Sequence, residues 1–185
     1  YWSWGLKKAN DWRERMGRER NADWDRMADQ MAPWPVVNGV YVEAESVLEK
    51  DGGHPTQLAA YGFLPASAYL DKEVMRKTLR HVLDNWDWAD TWGWDFPLIA
   101  MTAIRLNEPE WALEALLKSV QKNTYLPNGH NFQNEGLPLY LPGNGGLLTV
   151  VAMMCAGWDG CTEGNPGFPK NGLWNVKWEG LKPAL

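Results

Sequence analysis

At 185 residues, 45% of them hydrophobic, the chain has the size of one globular domain or one lobe of a larger one. A net charge of −5 argues against a nucleic-acid surface or an anionic membrane as partner. No apolar run reaches the length of about eighteen residues that a membrane span needs. Two cysteines, Cys155 and Cys161, and three dispersed histidines, His54, His81 and His130, give no metal-ligand spacing and leave the redox compartment open.

Trp4, Leu6, Ala9, Trp12 and Met16 approximate a helical stripe, and Gly17 to Asn21 break it. A second stripe runs through Trp24, Met27, Ala28 and Met31. Asn21 is placed to cap it, and Pro33 and Pro35 end it. The expectation is a helical hairpin. Basic residues gather between Lys7 and Arg20, but acids are mixed in, so they read as a solvated face.

Val36 to Gly53 reads as irregular or short-strand structure carrying Glu43, Glu45, Glu49 and Asp51. Gly52 to Ser67 mixes turn residues with a short apolar helix around Thr56 to Gly62. Val74, Met75, Leu79, Val82, Leu83 and Trp86 then share one face of a helix, with charges opposite and Asp71 placed to cap it.

The segment from Asp84 to Leu106 carries the most chemistry. Trp86, Trp88, Trp92 and Trp94 are interleaved with Asp84, Asp87, Asp90 and Asp95. Flat indole faces suit the C–H side of a sugar ring, and carboxylates suit its hydroxyls and acid–base work. The same pattern also fits a tryptophan-rich core with aspartates as caps. Thirteen tryptophans in one chain are far above ordinary usage. Trp94 to Leu106 is apolar all round, as a helix buried on every side would be.

Asn107 is placed to open the next helix, with Pro109 in its first turn, Glu110 beyond, and a single stripe through Trp111, Ala112, Ala115, Leu116 and Val120. Lys122 to Asn144 is a long polar loop of a kind that is usually functional or disordered; its aromatics and Glu135 favour function. Gly145 to Trp158 is again apolar all round, and Leu173 to Glu179 alternates as a strand does.

Amphipathic and all-apolar helices thus alternate. That order predicts an all-α protein of the α/α toroid type, with outer helices sheathing inner ones and long loops forming a cleft at one end. About three hairpins are present, roughly half of a six-hairpin toroid, plus a short C-terminal β segment. A compact three-hairpin bundle is the alternative. Residues 1–158 would form the C-terminal half of the toroid and 159–185 a loop and strand tail. The chain starts mid-pattern at Tyr1, so an N-terminal half would precede it. Without that half, the inner helices would have exposed sides.

Four stretches resemble the catalytic domain of glycoside hydrolase family 95 and, more distantly, family 65. They are Met16-Gly17-Arg18 through Trp24, His54 through Pro65, Gly93-Trp94-Asp95 through Asn107, and Gly143-Asn144 at the start of the last apolar helix. The likeness covers most of the chain up to Trp158. It implies an (α/α)6 toroid and an exo-acting, inverting glycoside hydrolase with no cofactor; the charge, the histidine spacing and the lack of a long apolar run add no metal, no nucleic acid and no membrane to the expectation. The partners it implies are a carbohydrate substrate and the N-terminal half of the same enzyme, which carries the general-acid Glu. Two departures affect mechanism. Pro142 stands where the family has an Asp that helps form the base, and Asp95 replaces its Ser.

Inverting hydrolysis uses two carboxyl groups about 6.5–9.5 Å apart with a water between. Asp95, at the mouth of an inner helix beside Trp92 and Trp94, is the first candidate for the base, and an N-cap is its structural alternative. Glu135, in the loop that supplies the base in the resembling family, is the second. Glu43 and His54 are expected to bind sugar hydroxyls. Pro55 fixes a turn after His54, and only Asp51 stands close enough in sequence to orient its ring. Trp92 and Trp94 would stack on the sugar, and Asn144 would cap the last helix or touch the sugar.

The resulting expectation is a glycosidase cleaving a terminal sugar. The alternatives are a polysaccharide lyase or sugar epimerase on a similar toroid, using Tyr61, Tyr140 or His130, and a non-catalytic carbohydrate-binding lobe.

Overall fold

The computed structural model describes residues 1–46, 52–65 and 69–184. Glu49 and Asp51 lie outside the described residues. The chain is predominantly helical, with only small two-stranded sheets, and it divides into two units, Tyr1–Trp34 and Pro35–Leu185.

The first unit is the expected hairpin of α1 (Trp2–Arg15) and α2 (Ala22–Asp29). After α1, the Gly17 N–H donates to the Glu14 carbonyl and the Arg18 N–H to the Arg13 carbonyl. These are the paired bonds of a Schellman stop. The Asn21 side chain accepts from the Asp23 and Trp24 N–H groups and caps α2. The buried Asn10 reads the backbone of that same residue, donating to the Asn21 carbonyl and accepting its N–H at 2.9 and 2.8 Å. Arg20 then ties both helices together through Asp11, Glu14 and Asp25.

The second unit begins with β1 (Val36–Val37) and β2 (Val40–Tyr41), joined through Asn38-Gly39. Both turn residues have positive φ, as a type I′ hairpin requires. A 3₁₀ turn (Thr56–Leu58) leads into α3 (Ala59–Gly62). Then come α4 (Lys72–Asn85), α5 (Asp95–Arg105), α6 (Pro109–Leu116), β3 (Thr124–Tyr125), β4 (Asn131–Phe132) and α7 (Leu141–Ala156).

Helix α4 buries Met75, Thr78, Leu79, Val82 and Leu83, the face expected from its spacing with Thr78 added. The Thr78 hydroxyl sits there because it accepts the Tyr41 N–H and donates to the Val74 carbonyl. Asp71 caps the helix by accepting from the Glu73 and Val74 N–H groups. Asp71→Ala is expected to lower stability by about 1 kcal/mol, read as a shift in the denaturation midpoint at unchanged slope; no shift would mean that the cap contributes nothing.

Helix α5 is the centre of the unit. It packs against α3, α4, α6 and α7, and every residue from Asp95 to Arg105 is buried. This explains its all-round apolar sequence, and it corrects the expectation that α5 would have an exposed side. Helix α7 is equally apolar but packs on α5 through one face only, with Val150, Met153 and Met154 buried. Leu141, Leu148 and Val151 face outward, Leu148 with 73% exposure.

Two further expectations are corrected. Asn107 does not cap α6, whose N-cap is Glu108 without a side-chain bond. Instead Asn107 takes a positive φ and ends α5: its N–H donates to the Ile104 carbonyl and that of Glu108 to the Ala103 carbonyl. The tail from Leu173 to Glu179 forms no strand: among the described residues no backbone ladder pairs with it. Side chains hold it instead: the Phe168 and Trp174 rings lie 5.3 Å apart, and the Trp178 indole N–H donates to Asn165.

Candidate active site

Three loops meet where α3, α5 and α7 begin. The first holds His54. Pro55 has φ −77° and ψ 59°, and the Thr56 N–H returns to the His54 carbonyl at 2.8 Å. This is an inverse γ-turn, for which the proline ring presets φ. The preceding Gly53 carbonyl accepts the Trp86 indole N–H. His54 is therefore fixed from both sides.

The second loop is the turn from Trp92 to Asp95. The Asp95 N–H donates to the Trp92 carbonyl at 3.0 Å, and the Trp92 N–H donates to Asp95 Oδ2 at 2.7 Å. The carboxylate thus folds back across its own turn and does not cap α5, which excludes the N-cap role. Both carboxylate oxygens lie 3.1 Å from His54 Nδ1. Asp95 is 0% exposed, while the His54 side chain is 37% exposed. Burial raises the Asp95 carboxyl to about 6, against the opposing pull of the Trp92 N–H and of His54.

The indoles frame this pair. The Trp94 ring lies 4.9 Å from the imidazole and the Trp92 ring 6.2 Å. The third loop reaches Trp92 from the far side, with the Tyr140 ring 5.3 Å away and Lys122 Nζ 5.3 Å from the ring centre. Burial and the Asp95 charge together push the Tyr140 phenol up.

Buried amides hold that loop. Gln133 accepts the Gly93 N–H and donates to Asn131 and to the Lys122 carbonyl. Asn131 donates to the Lys122 and Thr124 carbonyls, and its own carbonyl accepts the Tyr140 N–H. Tyr140 and Lys122 are thereby delivered to Trp92.

Of the residues read from sequence, Asp95, His54, Trp92 and Trp94 come together here. Asp95 is sealed, so it does not itself face a water or a sugar, and the role of direct base is corrected. Among the described residues Asp95 is the acid that orients His54; Asp51 lies outside them. Glu135 is corrected as well: it is exposed on the turn between the bridged Asn134 and Leu137, with no contact to the pair among the described residues. Glu43 is exposed and accepts a hydrogen bond from the Thr56 hydroxyl, which places it beside the His54 loop. Asn144 neither caps α7 nor has a free side chain. It accepts the Asn131 N–H and donates to the Gly129 carbonyl, so it fastens the loop.

Trp86 belongs to the core, and Trp88 stacks on Phe96 at 5.8 Å; neither is at the site. Tyr61 is buried in the core, and only Tyr140 of the expected Tyr and His alternatives stands against the site's tryptophans. Sequence reasoning passed over Lys122, Asn131 and Gln133. The pair Gly93 and Gly143 was the available signal, because each marks a close approach to the same amide.

Among the described residues no cluster of His, Cys, Asp and Glu could hold a metal ion, and no helix is long and apolar enough to cross a membrane. No protein-family model, curated protein or solved structure matches the chain.

Proposed function

We propose that the chain is the C-terminal half of an α/α-toroid glycoside hydrolase that removes a terminal sugar by direct displacement with water. The observation that carries this reading is the His54–Asp95 pair beside the Trp92 and Trp94 rings. A proton-handling group beside two flat aromatic faces suits a sugar ring. The resemblance to glycoside hydrolase families 95 and 65 adds to it. So does helix α5, which is buried along its whole length among α3, α4, α6 and α7 and begins at the candidate site.

The test uses the full-length protein and a panel of 4-nitrophenyl glycosides. Release of nitrophenol, with the first-formed sugar of inverted anomeric configuration by NMR, is the expected result; no release from any glycoside counts against the reading. Tyr140 favours a second reading, a lyase or epimerase, because a phenol held protonated against Trp92 can deliver a proton. A uronide polymer yielding a product that absorbs near 230 nm would favour that reading.

On the toroid reading, another helix covers the outward face of α7. Leu148→Glu in the full-length protein would then place a charge in an apolar contact and lower stability by roughly 2–4 kcal/mol. An unchanged melting temperature would mean that this face meets water.

A further inference from the structure

We infer that His54 Nε2 takes the proton in this site and that Asp95 is a positioning residue for it; the identity of the step rests on the glycosidase reading above. A carboxylate has only acceptors. With both oxygens of Asp95 3.1 Å from Nδ1, the hydrogen of the neutral ring belongs on Nδ1. The lone pair is then on Nε2, and among the described residues nothing bonds that atom. Asp95 cannot be the acceptor itself. It is fully buried, and its Oδ2 also takes the Trp92 N–H. The imidazole is the partner that reaches solvent.

A buried acid that fixes the tautomer and aim of an exposed imidazole is the arrangement by which proteins make a neutral base. Among the described residues, the charged and titratable groups near the pair are Tyr140 and Lys122, both against Trp92, and Glu43, beside the His54 loop.

In the step, a water O–H proton moves to Nε2 as the water oxygen bonds to the anomeric carbon. The glycosidic C–O bond breaks, and its oxygen takes a proton from a carboxylic acid elsewhere in the enzyme. Solvent returns both groups to their starting states. Asp95 keeps the Nδ1 hydrogen bond throughout and stabilises the imidazolium.

Full-length protein labelled with 15N-histidine tests this directly. In its neutral form, His54 is expected to show a protonated Nδ1 and a bare Nε2, with the resonance assigned by its loss in His54→Gln. Asp95→Ala is expected to release it to the Nε2–H form that predominates in free imidazoles. A wild-type His54 protonated at Nε2 overturns the inference. The spectrum needs no substrate, so it decides the pairing even where the nitrophenyl panel shows no cleavage and the glycosidase reading falls.

On a cleaved nitrophenyl glycoside, His54→Gln is expected to lower kcat by roughly 10²–10⁴-fold with little change in KM. Asp95→Asn is expected to lower kcat without lowering the melting temperature at neutral pH. Near-full kcat in His54→Gln overturns the assignment of the base.

Discussion

Asp95→Asn is expected to make the protein more stable at pH 7.5, by up to about 3 kcal/mol, and to make no difference near pH 4. In an unfolded chain an aspartate titrates near 3.9. In the folded protein burial raises Asp95 to about 6. Between those values the folded state binds more protons than the unfolded one, so stability falls as pH rises through the window. Below it both states are protonated and no penalty exists; above it the penalty is complete. Two pKa units correspond to roughly 3 kcal/mol. Asparagine has the shape of the neutral acid, can still accept the Trp92 N–H, and never ionises. Denaturant melts of both proteins from pH 4 to 8 give the answer. A variant less stable than the wild type at every pH would mean that the bonds from Trp92 and His54 outweigh burial and that the carboxyl is not raised.

That expected gain matters for function. A buried carboxylate whose charge weakens the fold, paired with a partly exposed imidazole beside two indoles, fits the positioning role proposed for Asp95. A structural aspartate at the start of a helix would cap it and stabilise it; Asp95 instead bends back to Trp92 and leaves α5 without a side-chain cap.

Features set by neighbours in sequence were legible. Asn21 and Asp71 cap the helices they were expected to cap, because an N-cap bond spans two or three residues. The stripe of α4 and the burial of α5 follow from periodicity alone. Asn107 was misread because asparagine suits two local jobs, an N-cap and a left-handed helix stop, and the packing of α6 chose the second. The tail alternates like a strand but finds no partner, which no window of sequence reveals. The pairing of His54 with Asp95 spans 41 residues. The motifs placed each residue near a helix mouth, but only the packing of α3 on α5 brings them within 3.1 Å. The stretch from Lys122 to Tyr140 looked like a loop because its order comes from the amides of Asn131 and Gln133 and not from a regular ladder.

Gly93→Ala is expected to unlock that loop, lowering stability by roughly 3–5 kcal/mol and dismantling one side of the site. A Cβ at Gly93 would lie 1.8 Å from Asn131 Oδ1 and 2.7 Å from Gln133 Nε2, and one at Gly143 would lie 2.2 Å from the same Asn131 oxygen. Asn131 is thus held between two glycines, and both amides are fully buried. Neither can retreat freely, because each is bonded to the backbone at Lys122. Overpacking costs about 1–3 kcal/mol, and each buried amide group left without a partner adds about 1–3 kcal/mol. The Tyr140 N–H bond to the Asn131 carbonyl goes with them, so Tyr140 and Lys122 leave Trp92. The melting temperature should fall by roughly 10 °C or more, and proteolysis should open between Leu126 and Leu139 while the helical signal persists at lower temperature. Gly145→Ala is the control: nothing lies within 4 Å of a Cβ there, and alanine favours α7, so that variant should be neutral or slightly more stable. Equal behaviour of the two variants would show that the amide clamp does not hold the loop, and that Tyr140 and Lys122 reach Trp92 for another reason.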